Sequence, residues 1–246
     1  TSGITWVIDP LDGTVNYFYN HPYWAISIGI EVDGEIQVGV VAAPLLHETF
    51  YAIKGGGAFV LHDGVKKKLQ TNSGASIEKA LLSTGFGYDA ERRKKQGALL
   101  AEMVVIARDV RRAGAAALDF CYVAAGRIDA YYEFGLYPWD FAAGSLIVTE
   151  AGGRIGGLAG DKLGGDWSLA ANADLFSSAA HSAGPSICAT PLRIVDLRPA
   201  AVAISEIFNK SLSFGVLTRM NGCCAKNKSS ILPANKTLPL RNMTRC

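Results

Sequence analysis

The sequence predicts an α/β protein in which helices are sandwiched between sheets. Two observations carry this. Residues 25–61 alternate apolar and polar positions in short runs punctuated by Asp, Gly and Pro, the pattern of antiparallel strands. From about residue 81 onward, segments of helical period alternate with apolar runs of strand length, which argues for layered α/β architecture. The chain has 246 residues, 49% of them hydrophobic and 19% charged, enough to bury a sizeable core.

In chain order, Trp6-Val7-Ile8 reads as a short buried strand that Pro10 ends in a tight turn. Residues 25–31 and 35–43 form a hairpin around Asp33-Gly34, and Pro44 ends the second strand. Residues 49–53 and 58–61 continue the sheet across Gly55-Gly56-Gly57. A glycine triplet can cradle a phosphate, but no lysine and helix follow this one, so it reads as a plain turn. Lys66-Lys67-Lys68 reads as a solvated face.

Residues 81–84 are the next strand. Residues 92–107 form a helix with Leu99, Met103 and Ile106 on its apolar face and a solvent-facing basic start. Residues 115–125 form a mostly apolar helix ended by Gly126, with Cys121 a buried thiol. Residues 129–133 are a strand. A helix from Trp139 starts behind Pro138, where a missing N–H costs nothing, and closes at Gly152-Gly153. Strands near residues 154–155 and 167–171 flank a glycine-rich surface loop at 156–166. Asn172 and Asp174 cap a short final helix.

The formal net charge of +2 hides a division. Residues 1–177 carry 15 Lys/Arg and 20 Asp/Glu, a balance of −5; residues 178–246 carry 9 and 2, a balance of +7. With no aromatic platform to stack on bases, the second segment reads as a solvated, disordered tail rather than a nucleic-acid binder. Four of the five cysteines fall in it, without metal spacing. No segment is long and apolar enough to span a bilayer, and no signal peptide is expected.

The chemistry concentrates at Asp9-Pro10-Leu11-Asp12-Gly13-Thr14. The turn sets the carboxylates of Asp9 and Asp12 near one point. Two carboxylates about 4 Å apart repel by about 4 kcal/mol at an effective dielectric near 20. Such a pair protonates one member or places a cation between them, and hard oxygen ligands on a tight turn suit Mg²⁺. Gly13 and Thr14 open a helix whose N–H groups can face an anion. Asp140 lies in the first turn of the helix from Trp139, where its charge suits the dipole. Ala142, Ala143 and Gly144 let that helix approach another backbone closely.

Residues 6–17, Trp6-Val7-Ile8-Asp9-Pro10-Leu11-Asp12-Gly13-Thr14-Val15-Asn16-Tyr17, match the first signature of the inositol monophosphatase family. Trp139-Asp140-Phe141-Ala142-Ala143-Gly144 resembles its second, W-D-x-A-A-G. The resemblance spans roughly residues 1–177, taken as a partial phosphatase domain. It implies an αβαβα layered sandwich of the sugar phosphatase type and a lithium-sensitive, Mg²⁺-dependent phosphatase of small sugar and polyol phosphates. Inositol monophosphate is the expected substrate. Histidinol phosphate, fructose 1,6-bisphosphate and 3′-phosphonucleotides are the alternatives, as is a non-catalytic remnant of the family.

The same resemblance implies the site. Asp9, Asp12, Asp140 and the carbonyl of Leu11 hold Mg²⁺. Gly13 and Thr14 hold the phosphate, and the Thr14 hydroxyl orients the attacking water. Gly114, Ala115, Ala116, Glu133 and Asp140 meet the substrate. Arg112 and Asp119 match R-x-G-x-A-A-x-D of bacterial-type members, with Asp119 expected to pair with a base. Ala115 stands where relatives often carry Ser or Thr. A small phosphomonoester is the implied partner, with no nucleic acid for the core and no membrane. The resemblance further implies a cytoplasmic location and a homodimer when complete.

Two departures shape the expectation. Only eight residues precede Asp9, where the family places two helices, a hairpin and a metal-binding glutamate. The fold is therefore expected to lack those elements, and the chain to hydrolyse phosphomonoesters poorly. Residues 178–246 resemble nothing in the family; within them, residues 207–217 faintly resemble a segment of retrotransposon reverse transcriptases.

Overall fold

A computed structural model describes residues 3–74, 76–157, 163–164 and 167–177. The chain divides into two units, Thr1–Phe214 and Gly215–Cys246, and every described residue lies in the first. Residues 178–246 and most of the stretch 156–166 lie outside the described residues, and with them the readings of a tail and of a surface loop.

The first sheet has six strands in sequence order: β1 (Ile4–Asp12), β2 (Ala25–Val32), β3 (Glu35–Ala43), β4 (Glu48–Ile53), β5 (Gly57–His62) and β6 (Val65–Lys68). All neighbours are antiparallel. The second sheet takes β7 (Leu81–Thr84), β8 (Asp109–Arg111), β9 (Ala130–Phe134), β10 (Arg154–Gly156) and β11 (Trp167–Ala171) in the order β10-β11-β9-β7-β8. β7 runs parallel to both β8 and β9. Five α-helices, α1 (Thr14–Phe18), α2 (Ala90–Ile106), α3 (Ala116–Ala124), α4 (Pro138–Glu150) and α5 (Ala173–Ser177), and two short 3-10 helices, Pro44–Leu46 and Ile77–Lys79, complete the described chain.

Side-chain alternation sorts these elements into layers. On the first sheet Ala25, Val41, Phe50 and Ala52 face inward and join Phe120, Val123, Ile147 and Val148 of α3 and α4 in one core. The second sheet is apolar on both faces. Tyr131 and Ala170 point into that same core. Leu82, Tyr132 and Leu169 point the other way, onto Leu99 and Met103 of α2. The described layers therefore run β-α-β-α, four of the five in the expected sandwich. No helix among the described residues is long and apolar enough to cross a membrane.

The structure corrects the reading of the first strand. β1 continues through Pro10 to Asp12. It is an edge strand, where a missing ladder N–H is tolerated, and its register shifts between Asp9 and Asp12. Nor is the Trp6–Ile8 run buried: Trp6 is 60% exposed. Trp6 and Ile8 lie opposite Ile30 and Ile28, so they share the outer face of the sheet rather than its core face. An apolar run reports strand formation but not which side is covered.

Two strands were not expected. β8 is only three residues long. β6 contains the three lysines, and Lys66 Nζ sits 3.9 Å from the centre of the Phe59 ring. Lysines are a common guard on a sheet edge. α2 starts at Ala90, two residues early, because Asp89 caps it by accepting from Arg92 N at 2.8 Å. The glycine triplet is a turn, as expected, yet it does hold an anion. Gly55 N and Gly57 N each donate to the Glu150 carboxylate at 2.7 Å, latching the end of α4 to the β4–β5 hairpin.

α4 lies unusually close to the first sheet. A Cβ on Gly39 would sit 2.6 Å from the Ala143 carbonyl oxygen, and one on Gly29 would sit 2.9 Å from Ala142 Cβ. On the other side of α4, a Cβ on Gly144 would sit 2.6 Å from Phe120 Cβ. The small residues of the second motif thus serve backbone contact on both sides. Gly39→Ala and Gly144→Ala should each destabilise the fold by about 1–3 kcal/mol, the usual cost of overpacking. Thermal or denaturant unfolding is the check, with Gly34→Ala, whose Cβ would meet nothing within 4 Å but whose φ is +85°, as a control for backbone strain alone.

Candidate metal centre

Three carboxylates converge. Asp9 and Asp12 come from the end of β1, and Asp140 from the first turn of α4. One oxygen from each lies within 4.8 Å of the other two. Each carboxylate is fixed by one main-chain donor. Leu11 N donates to Asp9 Oδ1 at 2.9 Å, Ala117 N to Asp12 Oδ2 at 2.8 Å, and Tyr137 N to Asp140 Oδ2 at 2.7 Å. Two of these donors stand at the starts of α3 and α4, where N–H groups have no partner within the helix.

The remaining charge is not compensated. Burial pushes Asp12 well above the usual carboxylate range, the Ala117 N–H pulls it back in part, and the charges of Asp9 and Asp140 raise it further. Burial likewise lifts Asp140 to about 6, with Asp9 adding to the effect. A set of hard oxygens, one of them deeply buried and short of positive charge, fits a divalent cation such as Mg²⁺. The Leu11 carbonyl, between Asp9 and Asp12 in sequence, accepts the Thr14 hydroxyl at 2.9 Å.

The neighbouring residues expected from the sequence are partly brought together. Gly13 has φ +82°, and a Cβ there would meet Tyr23 O at 3.0 Å, Ala115 Cβ at 3.1 Å and Gly114 O at 3.3 Å. The Gly13–Thr14 backbone and the Gly114–Ala116 segment are therefore adjacent. Glu133, near the end of β9, accepts from the Tyr131 hydroxyl at 2.6 Å. Burial raises Glu133 above its ordinary range, and it feels the charges of Arg112 and Asp140. The Gly85 backbone closes over it, since a Cβ there would fall 1.8 Å from Glu133 Oε2. Buried Gln96 of α2 holds that wall, donating to Gly85 O at 3.3 Å and accepting from Gly87 N at 3.0 Å.

Asp119 departs from expectation. Among the described residues no basic side chain is hydrogen-bonded to it, and Arg112 acts on it only through its charge; Ser83 Oγ donates to it at 2.7 Å and Tyr23 Oη at 3.3 Å. Burial lifts it to about 7, against the two hydroxyl donors. Sequence reasoning also missed Gln96, Tyr23 and the Ala117 N–H. Only Ala117 carried a signal, as the third residue after Gly114 at a helix start.

Asp119 and Asp140 have folded pKa values raised above an unfolded value near 3.8. Such groups stabilise the fold at low pH, and that contribution is lost as pH rises through about 6 to 7. In chelator, the melting temperature should therefore rise by several degrees as pH is lowered from about 8 toward about 5. Added Mg²⁺ at the upper end should raise it as well. Asp119→Asn should remove the part of the slope that runs from about 4 up to about 7. A flat profile without metal would contradict this electrostatic account.

Comparison with known proteins supplies the family. The inositol monophosphatase family pattern matches residues 1–188. Inositol-1-monophosphatase SuhB of Mycobacterium tuberculosis is 49% identical over 152 residues, which is 62% of this chain and 52% of that protein. Nus factor SuhB of Pasteurella multocida is 44% identical over 155 residues, 63% of this chain and 57% of that protein. The chain thus spans about half the length of the curated relatives it matches. The solved structure of Mycobacterium tuberculosis SuhB superimposes with a TM-score of 0.66 at 44% identity, over 71% of this chain and 69% of that one. The chain belongs to the inositol monophosphatase family.

Proposed function

We propose that this chain carries the catalytic domain of a Mg²⁺-dependent phosphomonoesterase, within residues 1–177, whose substrate is inositol monophosphate or a close polyol analogue. The convergence of Asp9, Asp12 and Asp140 is the observation that carries this reading. The family is metal-dependent, and relatives named as inositol-1-monophosphatases share nearly half of the aligned residues.

When bound, Mg²⁺ supplies an activated water near neutral pH and offsets charge on the phosphate and the leaving oxygen. Asp9, Asp12, Asp140 and the Leu11 carbonyl would hold it. The chain's own groups do the positioning. The Thr14 hydroxyl commits its proton to Leu11 O, which leaves its oxygen lone pairs to accept a hydrogen bond from the attacking water and fix its orientation. The N–H groups of Gly13 and Thr14 face the phosphate. α1 has only five residues, so these N–H groups act as individual donors rather than through a long helix dipole. The backbone of Gly114, Ala115 and Ala116 meets ring hydroxyls, and Glu133 accepts from them, its Oε2 steadied by Tyr131.

A second reading is favoured by the relatives named Nus factor SuhB. In it the fold serves an interaction with a macromolecular partner, and the acids hold a cation without turnover. Phosphate release by a complete-length version from a panel of inositol phosphate, histidinol phosphate, fructose 1,6-bisphosphate and a 3′-phosphonucleotide separates the two. The phosphatase reading expects one substrate to be preferred and Mg²⁺ to be required. Equal, metal-independent background release from every substrate would sink it. In a version restored to full length, Asp9→Asn should lower kcat by about a hundredfold or more while leaving the metal-free fold as stable or slightly more so, because one repelling charge is gone. A variant that keeps a tenth of the wild-type rate at saturating Mg²⁺ would remove Asp9 from the centre of the mechanism.

A further inference from the structure

Two strips of backbone face each other beside the three carboxylates. One is Gly13–Thr14 at the head of α1; the other runs from Ala113 into α3. They belong to different elements, so no shared helix or sheet fixes the gap between them. Asn16 bridges it, alongside the Asp12 carboxylate that takes Ala117 N of α3. Asn16 Nδ2 donates to Tyr23 O at 2.6 Å and to Ala113 O at 2.9 Å. Both amide protons are thereby committed, each to a carbonyl, and neither a carboxylate nor an apolar side chain can replace them.

The bridge is tight on every side. The backbone of Asn16 accepts from His21 N at 2.8 Å. Gly114 has φ +95°, and a Cβ there would lie 3.2 Å from Asn16 Nδ2 and 2.5 Å from Arg112 Nη1. Tyr23, whose carbonyl takes one Asn16 proton, is anchored at its other end through its hydroxyl to Asp119, which also takes the Ser83 hydroxyl. A line of hydrogen bonds thus runs from α1 through the loop before β2 to α3 and β7.

We propose that Asn16 is a positioning residue that sets the gap between the phosphate strip and the polyol strip, and so selects phosphorylated polyols over phosphomonoesters that lack hydroxyls. This inference rests on the phosphatase reading above. A phosphorylated polyol must seat its phosphate on Gly13–Thr14 and its hydroxyls on Gly114–Ala116 at once. An aryl phosphate uses the first strip alone. Loss of the bridge lets the strips shift relative to each other, which penalises only a ligand that spans both.

The test compares kcat and KM of wild type, Asn16→Ala and Asn16→Asp for myo-inositol 1-phosphate and p-nitrophenyl phosphate at saturating Mg²⁺, with melting temperatures measured alongside. For inositol phosphate, KM should rise about tenfold or more, since displacements near 1 Å carry penalties of that order, while kcat/KM for the aryl phosphate falls less than about threefold. Asn16→Asp should be at least as damaging as Asn16→Ala, because it sets a carboxylate against two carbonyls. If Asn16→Ala does not fold, Asn16→Ser, which keeps one donor, is read in the same way. An equal loss for both substrates, or no loss for either, in a background of active wild type overturns the inference alone. Wild type inert towards both substrates even with a family-type N-terminal segment restored overturns the phosphatase reading, and the inference falls with it.

Discussion

The close seat of α4 on the first sheet is the constraint on which the site depends. Asp140 reaches Asp9 and Asp12 only because no side chain intervenes where Gly29 and Gly39 meet Ala142 and Ala143. One methyl group on Gly39 would have to push the Ala143 carbonyl away. Interiors at crystal-like density transmit such a displacement along the helix, and its first turn carries the third carboxylate. Ser27 of β2 helps to fix that turn, donating to the Trp139 carbonyl at 3.3 Å. Packing and chemistry are therefore one problem here: the contact that builds the core also closes the metal centre.

Electrostatics run against the fold at the same place. Asp12 and Asp119 are almost wholly buried, Asp140 and Glu133 partly so, and burial raises all four. Main-chain N–H groups and hydroxyls answer some of this charge but no basic side chain is hydrogen-bonded to any of the four among the described residues. Arg112 acts on Asp119 and Glu133 only through its field. Functional sites commonly concentrate such unfavourable charge, because a group relieved by a ligand is a group that binds it.

Much of this was legible in the sequence. Asp9, Asp12 and Asp140 were readable because they stand at a strand end and a helix start; Asp9 and Asp140 are fixed by donors two and three residues away, although the donor to Asp12, Ala117 N, lies 105 residues on. The β7 strand and the β2–β3 hairpin were readable for the same reason: their signals are short-range. What escaped was set by distant partners. Trp6 and Ile8 look like core residues until the register with Ile30 and Ile28 puts them on the outer face. Pro10 looks like a strand end until β1 proves to be an edge. Asp119 looks like half of a salt bridge until Ser83 and Tyr23, 36 and 96 residues away, supply its hydrogen bonds. The glycine triplet gave no hint that its anion would be Glu150, more than ninety residues on.

The Glu150 latch has one more consequence. α4 is fastened at both ends, to β2 near Trp139 and to the β4–β5 hairpin at Glu150. Its thirteen residues span about 20 Å between those fastenings. Substitutions on its surface leave that span alone, but adding or deleting a single residue does not. An indel would turn one end by about 100° relative to the other, so either the latch or Asp140 would face the wrong way. Along this helix, evolution and engineering alike are free to change letters but not to change the count.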